Sequence, residues 1–143
     1  MRRLISIVGL VILSLLIPKL SYAEKKESPA SIPGSTKVNA EQLIEAAEKY
    51  SDLVIIDSRI IDDRQQGYIS GSHSLPDEET NCNSLSKLVP TLSSPALYYC
   101  NGPKCGRSGK AVKIALQCGY SKIFWFRGGF EEWKNKEYPL VKY

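Results

Sequence analysis

Residues 98–111, Tyr98-Tyr99-Cys100-Asn101-Gly102-Pro103-Lys104-Cys105-Gly106-Arg107-Ser108-Gly109-Lys110-Ala111, change character twice in a short space. With Ala96 and Leu97 before them, Tyr98 and Tyr99 end an apolar run of the kind that forms a strand buried on both faces. Glycine and proline then break the run. Ala111, Ile114, Ala115 and Cys118 recur at helical spacing, and Gly119 stands where a helix stop belongs. Cys100 therefore falls at a strand-to-helix turn. Cys105 and Arg107 lie in the loop that opens a helix from about Ser108 to Cys118.

The rest of the chain repeats that alternation. VNAEQLIEAAEKY (residues 38–50) predicts a helix capped by Asn39, with Leu43, Ile44, Ala47 and Tyr50 on its apolar face. LVIIDSR (53–59) is a second short buried strand ending in polar residues. Asp62 to Gly67 reads as a helical turn stopped by glycine, and GYISGSHSLP (67–76) as a loop entering a minimal strand. A helix is expected within 83–92, a third buried strand at KIFWF (122–126), and a glycine turn with a short helix in RGGFEEWKNKEYP (127–139). Helices alternating with short apolar strands predict an α/β sandwich around a mostly parallel sheet. Such sheets carry their sites at the carboxyl ends of the strands. That rule gathers Asp57, Arg59, Cys100 and Arg127 along one edge.

A cysteine facing a helix N-terminus sits among unpaired backbone N–H groups that favour negative charge. Lys104 and Arg107 add formal positive charge, and Gly102 and Gly106 let the loop turn its amides inward. These surroundings predict a depressed thiol pKa at Cys100, and hence a resting thiolate nucleophile. The same cradle suits an anionic substrate or the charge of a persulfide.

LVIIDSR, GYISGSHSLP, the Tyr-Tyr-Cys strand end with its Arg-Ser helix start, and GGFEEWKNKEYPL resemble, in order and spacing, a rhodanese-like domain. The resemblance runs over nearly the whole chain from about Val38. It implies a three-layer fold, a sheet between helices, and a catalytic cysteine that carries sulfur as a persulfide. The sulfur would pass from a donor such as thiosulfate to a thiol or cyanide. By position Cys100 matches that cysteine. Asn101, Gly102, Lys104, Gly106, Arg107 and Ser108 make up its anion-binding loop, and Asp57 and Arg59 match the supporting Asp-x-Arg. Six residues separate Cys100 from Arg107, two more than is usual in the family's sulfurtransferases and one more than in its phosphatase relatives. Cys105 is an extra thiol in this loop, and Tyr68 and Ser70 replace a frequent histidine and proline. An exported thiol–disulfide or sulfur-carrier protein using Cys100 and Cys105 is the alternative reading. A phosphatase or oxyanion reductase is a third.

Residues 1–23 carry a positive start, an apolar run from Leu4 to Ile17, and Ser21-Tyr22-Ala23, which offers small residues for cleavage. They predict a signal segment, export to a periplasm or the cell exterior, and no stable membrane insertion after cleavage. Cleavage would remove three basic residues and no acidic ones, lowering the formal net charge from +4 to +1. The case for a nucleic-acid partner largely goes with them. Residues 24–36 read as a flexible leader and 37–143 as one domain. The expected partners are a small sulfur-donor anion, a thiol acceptor and, for the alternative, a redox protein.

The four cysteines divide unevenly. Cys118, on an apolar helical stripe, is expected to be a buried inert thiol, and Cys82 lies in a polar loop as a surface thiol or half of a bridge. For Cys105 a plain loop thiol, a disulfide to Cys82 and a redox partner for Cys100 all stand open. Asp57 and Arg59 are read as a structural pair. His73, the single histidine, is read as a loop hydrogen-bonding residue. Trp125, Phe126, Phe130 and Trp133 are read as core and site-edge packing. No spacing fits a zinc site, a phosphate loop or a dinucleotide fingerprint, so no metal or cofactor is expected.

Overall fold

The computed structural model describes residues 27–143. The elements follow in the order β1 (Ser35–Val38), α1 (Ala40–Lys49), β2 (Val54–Asp57), α2 (Ile61–Gln65), β3 (Tyr68–Ile69), β4 (His73–Ser74), α3 (Cys82–Leu88), β5 (Ala96–Tyr99), α4 (Arg107–Gln117), β6 (Ile123–Phe126), α5 (Gly129–Asn135) and β7 (Leu140–Val141). Five strands form a parallel sheet in the order β1-β6-β5-β2-β4, and β3 pairs antiparallel with β7. The expected signal segment lies outside the described residues.

Alternation along the central strands sorts side chains into two cores. Ala96, Tyr98, Ile56 and Trp125 point to one face, where Ala111, Val112, Ala115, Leu85 and Val89 of the α3–α4 side cover them. Leu97, Tyr99, Ile55 and Phe126 point to the other, against Leu43, Phe130 and Trp133 from α1 and α5. The result is the expected α/β sandwich of three layers. Strands without a polar face are the form a parallel sheet takes when helices cover both sides.

Four local expectations are corrected. The α1 stripe runs through Ala40, Leu43 and Ala46, with Ile44 packed beside it, and Ala47 is exposed one position off that stripe. Asn39 does cap it, in a capping box with Gln42. The segment read as a flexible leader is fixed from residue 27 onward: Ile32 is buried in the first core, and Ser35 and Thr36 begin β1. That strand pairs with β6 at the sheet edge, which its polar sequence had hidden. His73 sits in β4 beside Ile56, with its side chain exposed.

The fourth correction concerns Cys118. It is not an inert thiol but is bonded to Cys82, with Cα atoms 5.5 Å apart. Cys82 is the first residue of α3 and Cys118 the C-cap of α4, so packing of the two helices brings their sulfurs together. Cys100 and Cys105 are the free thiols.

Candidate active site

Register places the expected residues together. Asp57 pairs with Tyr99 across β2–β5, and Tyr99 with Phe126 across β5–β6, so Arg59, Cys100 and Arg127 all follow strands that end at one level. Beneath this edge lies a buried ionic knot. Asp57 Oδ2 accepts from Arg59 Nη2 at 2.7 Å, Arg64 Nη1 at 2.9 Å and the Tyr99 hydroxyl at 2.8 Å. Its Oδ1 accepts from the Arg59 backbone N–H and Nε. Arg59 also donates to the carbonyl of Gly67, and Arg64 donates to the hydroxyl and carbonyl of Ser72. Burial pushes the Asp57 carboxyl up, but the Arg59 hydrogen bonds and charge outweigh it and hold the group below the usual aspartate range. Asp57 and Arg59 thus form a buried pair beneath the site edge. Arg64 completes the knot and carries no sequence signal that singles it out.

The cysteine loop is built from both sides. The N–H of Phe130 donates to the Cys100 carbonyl at 2.8 Å, and that of Glu131 to the Asn101 carbonyl at 2.7 Å. These are unpaired amides at the start of α5, satisfied by the loop. Their approach requires Gly129, which has φ +60°, since a Cβ there would collide with the Cys100 carbonyl. Across the loop, the backbone N–H and the hydroxyl of Ser28 both donate to the Pro103 carbonyl at 2.8 Å. Arg127 holds the same N-terminal segment in place, donating to the carbonyls of Ser28 and Pro29.

Cys100 itself is sealed, at 1% exposure. Its thiol donates to the Cys105 carbonyl at 3.3 Å, and its Sγ lies 3.2 Å from the Ser108 hydroxyl. Trp125 Nε1 donates to that hydroxyl oxygen at 3.0 Å, which leaves the serine hydrogen free to point at the sulfur. Cys105 is half-buried and lines a cavity of about 210 Å³ with Asp63, Asn101, Gly102, Lys104, Arg107 and Glu131.

Here the structure reverses the expected charge. The Cys105 hydrogen bond and burial push the Cys100 thiol well above the usual range. Conversely, the Cys100 hydrogen bond lowers Cys105 to about 6, helped by the N–H groups of Arg107 and Asn101 and by the Arg107 charge, against the cost of burial. The two shifts run in opposite directions, so the pair favours ionisation at the more exposed sulfur, where the Arg107 charge contributes. The amides are divided: those of Asn101 and Arg107, with the Arg107 charge, favour the thiolate of Cys105, while the Ser108 hydroxyl and N–H face Cys100. Arg107 is also committed elsewhere, to Asp77 Oδ1 at 2.6 Å, while Lys110 reaches Oδ2 at 3.1 Å. Lys104 is exposed at the cavity rim. Gly106 is the N-cap position of α4, and Asn101 Nδ2 donates to Asp63 at 2.6 Å. Asp63, Asp77 and Glu131 reach the loop from distant segments and went unread in the sequence. Among the described residues no group of three His, Cys, Asp or Glu side chains could hold a metal ion, and no helix is long and apolar enough to cross a membrane.

Comparison with known proteins agrees with this architecture. The chain is 28% identical over 92 residues to the uncharacterized protein YibN of Escherichia coli K12, an alignment covering 64% of this chain and 62% of that protein. The chain thus spans about three fifths of the length of that relative. It is 29% identical over 99 residues to the rhodanese domain-containing protein CG4456 of Drosophila melanogaster, covering 62% of this chain and 87% of that one. Among solved structures, the BH2092 protein of Bacillus halodurans superposes with a TM-score of 0.67 at 22% identity, over 76% of this chain and 77% of that one. A thiosulfate sulfurtransferase from Pseudomonas aeruginosa shares the fold at a TM-score of 0.61 and 21% identity, over 76% of this chain and 20% of that larger one. Residues 29–136 match the family described as the Rhodanese-like domain. With the match running from before β1 to the end of α5, the chain belongs to the rhodanese-like domain family.

Proposed function

We propose that this domain is a sulfurtransferase that carries sulfane sulfur as a persulfide on Cys100. The observation that carries the reading is the placing of Cys100 Sγ at the end of β5. There it meets the Ser108 hydroxyl and N–H at the start of α4, donates to the Cys105 carbonyl, and neighbours the Cys105 thiol. A buried thiol that keeps its proton is a poor nucleophile unless a base stands beside it. Cys105, held as the thiolate, is such a base. In the loading step Cys100 Sγ bonds to the outer sulfur of thiosulfate while its proton passes to Cys105. The S–S bond of the donor breaks, and sulfite leaves with the electron pair. The persulfide anion inherits the Ser108 donors. An acceptor thiolate or cyanide then attacks the outer sulfur and restores the Cys100 thiolate.

The small sulfur-donor anion, the thiol acceptor and the absence of a cofactor requirement are parts of this proposal. So is export. The Cys82–Cys118 bridge supports an oxidising compartment, because structural disulfides persist outside the cytosol. The test is intact mass and peptide mapping after thiosulfate treatment of the reduced loop. One sulfur atom should be found on Cys100 under conditions that trap the persulfide, and a folded Cys100→Ser protein should transfer none. Transfer at the wild-type rate by that variant would refute the assignment.

A further inference from the structure

We propose that Cys105 is an internal acceptor: sulfane sulfur loaded on Cys100 leaves as hydrosulfide while Cys100 and Cys105 close into a disulfide. The loop would then reduce sulfane sulfur as well as carry it. The inference rests on the sulfur-transfer reading above.

Three features of the loop support it. The first is the division of the cysteines. Cys82 and Cys118 hold each other across α3 and α4, so they cannot compete for either loop thiol without first being reduced. The second is position. Cys105 is half-buried and lines the loop cavity, whereas Cys100 is closed off at 1% exposure, so Cys105 is the loop thiol that opens to solvent beside it. The turn that closes between the Cys105 N–H and the Gly102 carbonyl, at 2.9 Å, folds the loop back and brings the Cys105 carbonyl within 3.3 Å of Cys100 Sγ. An intramolecular thiol so placed outcompetes one in solution, because it has no association entropy to lose. The third is charge. Arg107 and two loop amides favour the thiolate of Cys105, the form that attacks a disulfide-type sulfur.

Cys105 Sγ bonds to Cys100 Sγ, and the bond from Cys100 Sγ to the outer sulfur breaks. Hydrosulfide departs with that electron pair and with the proton Cys105 had taken during loading. The sulfane sulfur is reduced by two electrons and the two thiols are oxidised to a disulfide. One turnover consumes the dithiol. A further turnover requires an external dithiol reductant, which is oxidised to its own disulfide as the loop is reopened. Attack on the outer sulfur by an external thiol gives carriage, and attack on the inner sulfur by Cys105 gives release.

The experiment is a single turnover with thiosulfate alone. It uses the full chain with the Cys82–Cys118 bridge intact and both loop thiols free. Released sulfide is measured, and the cysteines are mapped. The expected result is one sulfide and one sulfite per chain, a Cys100–Cys105 disulfide, and recovery of both thiols with a dithiol. Cys105→Ser should load more slowly, for want of its base, and should end with sulfur held on Cys100 and no sulfide released. A wild-type persulfide that persists without sulfide would overturn the internal acceptor and leave sulfur transfer standing. Failure of both proteins to take up sulfur would overturn both readings. Sulfide release from Cys105→Ser equal to wild type would overturn the role of Cys105 alone.

Discussion

At the scale of single residues, the two neighbouring loop thiols differ in how readily they ionise. Cys105 is lowered to about 6 chiefly by the neighbouring Cys100 thiol. Alkylation of the wild type should therefore label Cys105 first, at a rate that rises with pH through about 6 as the thiolate forms. Cys100→Ala removes that thiol, so the midpoint should move up, and Arg107→Ala should move it the same way by removing a positive neighbour. A Cys105 profile unchanged in Cys100→Ala would mean that the two thiols titrate independently. Both cysteines were legible in the sequence as candidates, because the strand end, the glycines and the Arg-Ser start are local. Their charges were not. The expected thiolate at Cys100 followed from the helix terminus, which does face that sulfur, but the neighbouring Cys105 thiol and burial outweigh it. The loop that places Cys105 beside it depends on contacts from α5 and from residue 28, which have no local signature.

Ties between elements set the strength of the edge on which the loop rests. The Asp57 knot joins β2, α2, the turn before β4, and β5. Asp57→Asn leaves Arg59 and Arg64 short of a buried partner and should cost about 3–5 kcal/mol, the range for breaking a buried pair from one side. Because the folded carboxyl titrates below 3.8, its contribution is fully present above that value and is lost as pH falls through the lower folded value. Acid melts of wild type should steepen in that region more than those of Asp57→Asn. On the opposite layer, the Cys82–Cys118 bridge spans 36 residues between α3 and α4. Chain-entropy arguments give a closed loop of that size about 3–4 kcal/mol. Cys82→Ser with Cys118→Ser should therefore melt earlier yet transfer sulfur normally, since the bridge touches neither loop thiol. Equal melting with lost transfer would reverse both assignments. The central strands and helices were legible because apolar runs and caps are local. The bridge was not, because the helical stripe that suggested a buried Cys118 says nothing of which neighbour meets its end.

The whole molecule depends on a segment that its composition disguises. Lys, Glu, Ser, Pro and Gly dominate residues 24–36, which is why they read as a leader without structure. Yet Ile32 is inserted in the core beside Trp125, and β1 closes the sheet on β6. Ser28 clamps Pro103, so the same segment that completes the core also restrains the cysteine loop. Stability and reactivity should therefore fail together when it is lost. A chain beginning at residue 35 should melt well below one beginning at residue 27, because removing a buried isoleucine side chain alone costs about 2–5 kcal/mol. Its Cys100 should also become accessible to alkylation while the protein is still folded, and amide exchange should quicken across Gly102–Cys105. Ser28→Ala separates the two effects. It removes the hydroxyl donor and keeps Ile32, so it should leave the melting temperature within a few degrees and still raise Cys100 labelling. If the truncated chain melts lower but Cys100 labels no faster than in the longer chain, the segment supports the core alone. The seal over Cys100 would then have to be assigned to Cys105 and α5.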